Sequence, residues 1–231
     1  MKWLSTSLGL IFSFLSCHAS AFVYSVENGL FNQTIDPLAK AESAAAYYNY
    51  NSSTASGTPD FGTVSNTGFF WLYEDTTTNI LSLGMIFDTQ NDGSGGSVVL
   101  TTGGMPVTSF VSVEDDNGDI VPTNLINGTE SWNWIACCTD GGMVSGLENS
   151  SWTITIDLLS STGINDWYFL DGPDSLTPSQ IMLDMNSTLI IKSAIASVSE
   201  PNILALLGLG LIGLVLPGSI SHRKRMRAHL S

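Results

Sequence analysis

From Phe69 onward the chain alternates apolar and polar residues at the two-residue period of β-strands. Leu81, Leu83, Met85 and Phe87 fall on one face, with Ser82 and Gly84 opposite. Trp152, Ile154, Ile156 and Leu158 repeat the pattern. Around them, Ser97–Thr101, Val107–Val113, the Trp132, Trp134 and Ala136 series, Trp167–Leu170, Gln180–Asp184 and Thr188–Ile195 read as further short strands. In the stretch Phe69 to Tyr73, Phe69, Trp71 and Tyr73 alternate with Phe70 and Leu72, which predicts a strand covered on both faces. Before this region the pattern gives one more strand, Phe22–Val26. One short N-terminal helix follows, Ala39–Tyr47, with Asp36 as its cap and Pro37 in its first turn. Eight to eleven short strands joined by Gly, Asn, Asp and Ser turns predict a mainly β fold, an antiparallel β-sandwich of jelly-roll-like kind. The Trp and Phe side chains are expected to fill its core, with one or two open to service as a glycan platform.

The two ends of the chain break this pattern. Met1-Lys2, the apolar run Leu8–Leu15 and the small residues Ala19 and Ala21 around Ser20 read as a signal peptide over residues 1–21, with cleavage after Ala21. Cys17 offers the alternative of a lipoprotein signal, although Phe14 stands where an aliphatic residue is expected. At the other end, Ile203–Leu216 is apolar and free of charge, and uncharged residues continue to Ser221. That length is close to the ~20 residues a helix needs to cross ~30 Å of hydrocarbon. Arg223, Lys224, Arg225 and Arg227 follow at once, which predicts a transmembrane helix with its C-terminal side in the cytoplasm. The domain division is then 1–21 signal peptide, 22–196 β-sandwich body and 197–231 tail.

The tail has a definite order: Ser199, Glu200 and Pro201, then Leu204 to Leu211 with Gly208 and Gly210, then Arg223, Lys224 and Arg225. This order resembles the PEP-CTERM sorting signal of exported proteins in Gram-negative bacteria. It departs from that family's motif in having Ser199 where the first proline belongs. The resemblance covers the tail alone. It implies an exosortase that cleaves near Glu200-Pro201, after signal peptidase has acted and while the inner membrane holds the intermediate. It also implies delivery to the cell surface or extracellular matrix, in company with exopolysaccharide. A plain membrane anchor that is never cut is the alternative for the tail.

Composition narrows what the body can do. Between Phe22 and Ala196 only Lys40 and Lys192 are basic, against 20 acidic residues. A surface this acidic repels the phosphates of nucleic acid, so no nucleic-acid partner is expected. The body has no histidine, the three lying at His18, His222 and His229. Histidine-based acid–base catalysis and Ser-His or Cys-His nucleophiles are therefore excluded from it. Asp171 and Asp174 offer the paired carboxylates a glycosidase uses, but the same residues spell a turn around Gly172-Pro173. No enzymatic activity is expected. A structural, adhesive or glycan-associated role is the leading reading, with a polysaccharide-acting enzyme or a permanently anchored periplasm-facing protein as alternatives.

Two turns carry oxygen ligands in calcium-loop style. Asp88 and Asp92 precede Gly93, but Val99 stands at the twelfth position where a bidentate acid belongs. Asp115, Asn117 and Asp119 cluster around Gly118. Calcium is the one candidate cofactor; turn geometry alone explains the same residues. Finally, Cys137 and Cys138 are adjacent and predict a vicinal disulfide that stiffens a loop, with a redox or ligand-contacting turn as the alternative.

Overall fold

The computed structural model describes residues 21–29, 31–116, 118–120, 127–147 and 150–196. These residues are mainly β, thirteen strands and one short helix, in two sheets. The first sheet comprises β1 (Ala21–Asn28), β2 (Phe31–Ile35), β6 (Gly96–Gly103), β8 (Asn127–Trp134), β10 (Trp152–Thr162) and β13 (Leu189–Ala196). Its order is β2-β1-β13-β10-β6-β8, antiparallel throughout. The second comprises β3 (Leu38–Lys40), β4 (Thr67–Asp75), β5 (Ile80–Phe87), β7 (Phe110–Glu114), β9 (Asp140–Leu147), β11 (Asp166–Asp171) and β12 (Ser179–Met182). Its order is β12-β11-β4-β5-β9-β7, with β3 also on β4.

The second sheet corrects the expectation of a wholly antiparallel fold. One edge of β4 is shared by two parallel partners, β11 along Thr67–Trp71 and β3 along Tyr73–Asp75. Parallel ladders join strands far apart in sequence, and no local periodicity reports them.

One core lies between the sheets, consistent with a β-sandwich. Val26, Leu100, Ile154, Ile156 and Ile191 of the first sheet meet Phe70, Leu72, Leu83, Met85 and Phe87 of the second. Each such side chain contributes ~1.5–3 kcal/mol on burial. The second sheet is covered on its other face too. There Phe69, Trp71, Tyr73, Ile86 and Met143 pack with Leu38, Tyr47 and Tyr48. The double burial inferred for Phe69–Tyr73 is therefore present. It requires Gly84, because a Cβ there would stand 2.2 Å from Trp71 Cε2.

The helix, α1, is shorter than expected, Ala44–Tyr48. Its cap is Ser43, whose Oγ accepts from Ala46 N at 3.2 Å, and Asn49 ends it in the left-handed region. Asp36 caps nothing. Its own amide donates to Asp171 Oδ1 at 2.8 Å, and Leu38 is wholly buried, so the Ala39–Lys40 stretch is held extended against β4. Val107 and Ala136 likewise lie outside strands, exposed in turns. Three strands were not visible in the pattern: β2, β3 and the glycine-rich β9. Among the described residues no helix is long and apolar enough to cross a membrane. The predicted span at 203–221 lies outside them.

Candidate metal centre

The turn after β7 is closed by its own first acid. Glu114 Oε1 accepts from Gly118 N at 2.7 Å and from Ile120 N at 3.1 Å. Asp116 N donates to Asp119 Oδ2 at 3.1 Å, and the buried Ile120 anchors the end of the turn in the core. Gly142 on β9 leaves room for it, since a Cβ there would lie 2.8 Å from Ile120 Cδ1. This folding brings Asp116 and Asp119 to Asp140, the first residue of β9. One carboxylate oxygen from each lies within 4.8 Å of the others.

Asp140 is the buried member, 1% exposed. Its Oδ2 accepts from Asn133 N of β8 at 2.6 Å and its Oδ1 from Gly141 N at 2.7 Å. Burial, and then the charge of Asp119, pushes its pKa up to about 8 against the pull of those two amides. Asp119 is pushed up to about 6 by burial and by the charge of Asp116. Beside the cluster, Asp115 is 5% exposed and raised to about 7 by burial, even though Tyr48 Oη donates to its Oδ2 at 3.2 Å. Its Oδ1 has no hydrogen-bond partner among the described residues.

Among the described residues, neither lysine pairs with this cluster. Lys40 pairs with Glu42 at 2.8 Å and Asp60 at 2.6 Å, and Lys192 with Glu27 at 2.6 Å. Three carboxylate oxygens at this spacing suit a hard cation with oxygen ligands at ~2.3–2.6 Å, with water completing the shell. Asp116, Asp119 and Asp140 are the residues that would hold it. Of the turn expected to bind calcium, Asp119 joins this group, Asp115 faces Tyr48, and Asn117 lies outside the described residues.

The other acidic turn is arranged differently. Asp88 is wholly buried; its Oδ1 accepts from Asn66 N at 2.8 Å, and its Oδ2 from Trp134 Nε1 at 2.7 Å and Ser94 Oγ at 3.2 Å. Asp92 accepts from Ser94 N at 2.8 Å, from Ser94 Oγ at 2.5 Å and from Ser65 Oγ. The hydroxyls of Ser65 and Ser94 hold its pKa down at about 2. All four carboxylate oxygens of this turn face protein donors: Asp88 ties Trp134 of β8 to Asn66, and Asp92 ties Ser94 to Ser65.

Asp171 and Asp174 are also committed to turns. Asp171 takes Asp36 N and, at 3.4 Å, Gln33 Nε2; Asp174 takes Leu176 N at 2.9 Å and Thr177 Oγ1 at 2.7 Å. Cys137 and Cys138 are disulfide-bonded in the turn between β8 and β9. Ala21 opens β1 opposite Ala196. Ala19, Ser199, Glu200, Pro201, Arg223, Lys224 and Arg225 lie outside the described residues.

Sequence reasoning placed Asp116 in its turn without singling it out, and it missed Asp140 and Glu130. Nothing local ties Asp140 to a turn more than twenty residues earlier. Glu130 sits on the inner face of β8, 1% exposed, in the alternation that also buries Trp132 and Trp134. Thr102 Oγ1 donates to its Oε1 at 3.0 Å, its Oε2 has no partner among the described residues, and burial raises its pKa to about 7. The signal was available in that alternation, where an acid occupies a position reserved for apolar residues.

Comparison with protein-family models, with curated proteins and with solved structures gives no match for this chain.

Proposed function

We propose that this chain is an exported protein of a Gram-negative bacterium. Its jelly-roll-like β-sandwich body is carried to the cell surface or extracellular matrix by a C-terminal sorting tail. Signal peptidase removes the first 21 residues, the inner membrane holds the tail, and an exosortase cuts near Glu200-Pro201. The role is structural or adhesive, in association with exopolysaccharide, and Asp116, Asp119 and Asp140 bind a calcium ion at extracellular concentrations.

The observation that supports this reading most is how the first sheet is closed. The ladder between β1 and β13 runs from Asn28 opposite Leu189 to Ala21 opposite Ala196. Among the described residues, the strands at the two ends of the body thus pair with each other, Phe22–Asn28 against Leu189–Ile195. The described acids add to it: Asp171 and Asp174 are taken up by turns, whereas the cluster around Asp140 has the spacing of a cation site.

Fractionation of the native host tests the reading. Wild-type protein is expected in the surface or matrix fraction, and a Glu200→Ala, Pro201→Ala variant in the inner membrane. Wild-type protein confined to the inner membrane would make this an anchored, periplasm-facing protein instead.

A further inference from the structure

The Cys137–Cys138 bond lies in the turn Ile135–Thr139 that carries the chain from β8 in one sheet to β9 in the other. Three groups of contacts converge on this turn. Cys138 N donates to Ile135 O at 2.9 Å, closing the turn on itself. Asn91 N donates to Cys137 O at 3.1 Å and Gly93 N to Ala136 O at 3.3 Å, which docks the 88–94 loop. Thr139 N donates to Ser56 Oγ at 3.1 Å, and Gly57 N to Thr139 Oγ1 at 2.9 Å, which docks the 51–57 loop. Asp140 follows at once, with its hydrogen bond from Asn133 N.

A disulfide between neighbouring residues closes a ring far too short to constrain the unfolded chain appreciably, since that effect grows with loop length. Its influence is local: it fixes the peptide between the two cysteines, and so the direction in which the carbonyl oxygen of Cys137 points. That oxygen accepts from Asn91 N of the 88–94 loop. Cys137 is exposed, so a thiol reagent can reach its sulfur.

We infer that the Cys137–Cys138 disulfide is a redox-operated latch: reduction by a dithiol frees the 135–139 turn and releases the 51–57 and 88–94 loops, while both sheets stay folded. In the exchange the dithiol gives up two protons and two electrons and closes its own disulfide. The S–S bond of the protein breaks, and Cys137 and Cys138 become two thiols. This device goes beyond the proposed function and does not depend on how the tail is processed.

Amide hydrogen exchange of the full chain in detergent, read by mass spectrometry with and without dithiothreitol, tests it. Thiol titration first establishes that the untreated protein has no free thiol from this pair and the treated protein two. Reduction is expected to speed exchange roughly tenfold or more at Gly57, Asn91, Gly93 and Thr139, and to leave β4 and β5 unchanged. A Cys137→Ser, Cys138→Ser variant is expected to reproduce the reduced pattern; if it fails to fold, reduction of the folded wild type remains the deciding measurement. Two free thiols before treatment would overturn the inference. So would unchanged exchange in the loops after complete reduction, or a loss of protection spread evenly over both sheets.

Discussion

The amide of Asn133 donates to Asp140 Oδ2 over 2.6 Å, joining the end of β8 in one sheet to the start of β9 in the other. The same carboxyl group belongs to the cluster with Asp116 and Asp119. Burial first, and then the charge of neighbouring acids, pushes Asp140 up to about 8, Asp115 to about 7 and Asp119 to about 6, all above the ordinary carboxylate range. A group whose pKa is raised in the folded state gives stability that is complete below its unfolded pKa and is lost as pH rises through its folded value. In a chelating buffer the melting temperature is therefore expected to fall by several degrees between pH 5 and pH 9, for a body of this size. Asp140→Asn keeps an acceptor for Asn133 and is expected to flatten that fall. A melting temperature that rises over the same range would contradict the arrangement.

Calcium is expected to reverse the alkaline loss. At pH 8, millimolar calcium should raise the melting temperature of the wild type by mass action. Asp116→Asn, Asp119→Asn and Asp140→Asn should each abolish the rise. Thermal melts with calcium, with magnesium and with a chelator check this directly. An equal rise in the three variants would place the ion elsewhere on this acidic surface.

Glu130 gives an independent pH effect on the other sheet. Raised to about 7 by burial, it contributes stability that is lost as pH rises from the ordinary carboxylate range through that value. Glu130→Gln keeps an acceptor for Thr102 and removes the charge. The variant is expected to be more stable than the wild type at pH 8.5 and close to it at pH 5, as read by urea denaturation.

Asp88 should behave in the opposite way to the cluster acids. Asp88→Ala strands the buried indole Nε1 of Trp134 and the half-buried amide of Asn66, while Ser94 Oγ keeps its bond to Asp92. The expected loss is ~3–5 kcal/mol, with or without calcium. A calcium-dependent loss would show that this turn, too, holds an ion.

Gly84 tests the covered outer face of the second sheet. Its Cβ would meet Trp71 at 2.2 Å, between strands packed on both sides. Gly84→Ala is expected to cost on the order of 1–3 kcal/mol, with Trp71 forced from its place. Denaturant melts and near-ultraviolet circular dichroism would report both effects.

What the sequence revealed followed the range of its signals. Alternation located β4, β5 and β10, and the unbroken apolar run at Phe69–Tyr73, four of its five residues aromatic, correctly announced two buried faces. Local propensity failed at Leu38–Lys40, where an alanine-rich context suggested helix. Burial of Leu38 against β4 prevailed there, together with the tie from Asp36 N to Asp171. β9 was invisible because Gly141, Gly142 and Gly146 dilute its pattern, although two neighbouring strands pair with it along its length. The candidate site was half legible. Asp119 announced itself by its turn, whereas Asp140 reaches it only through a ladder between distant strands.

The mature C-terminus tests the account of export and sorting most directly. Protein purified from the native host's surface fraction would be digested and its terminal peptides mapped by mass spectrometry. The account predicts a chain that ends between Ser199 and Pro201 and carries none of Ile203–Leu216. Recovery of the tail intact through Arg227, in membrane-bound protein only, would contradict it.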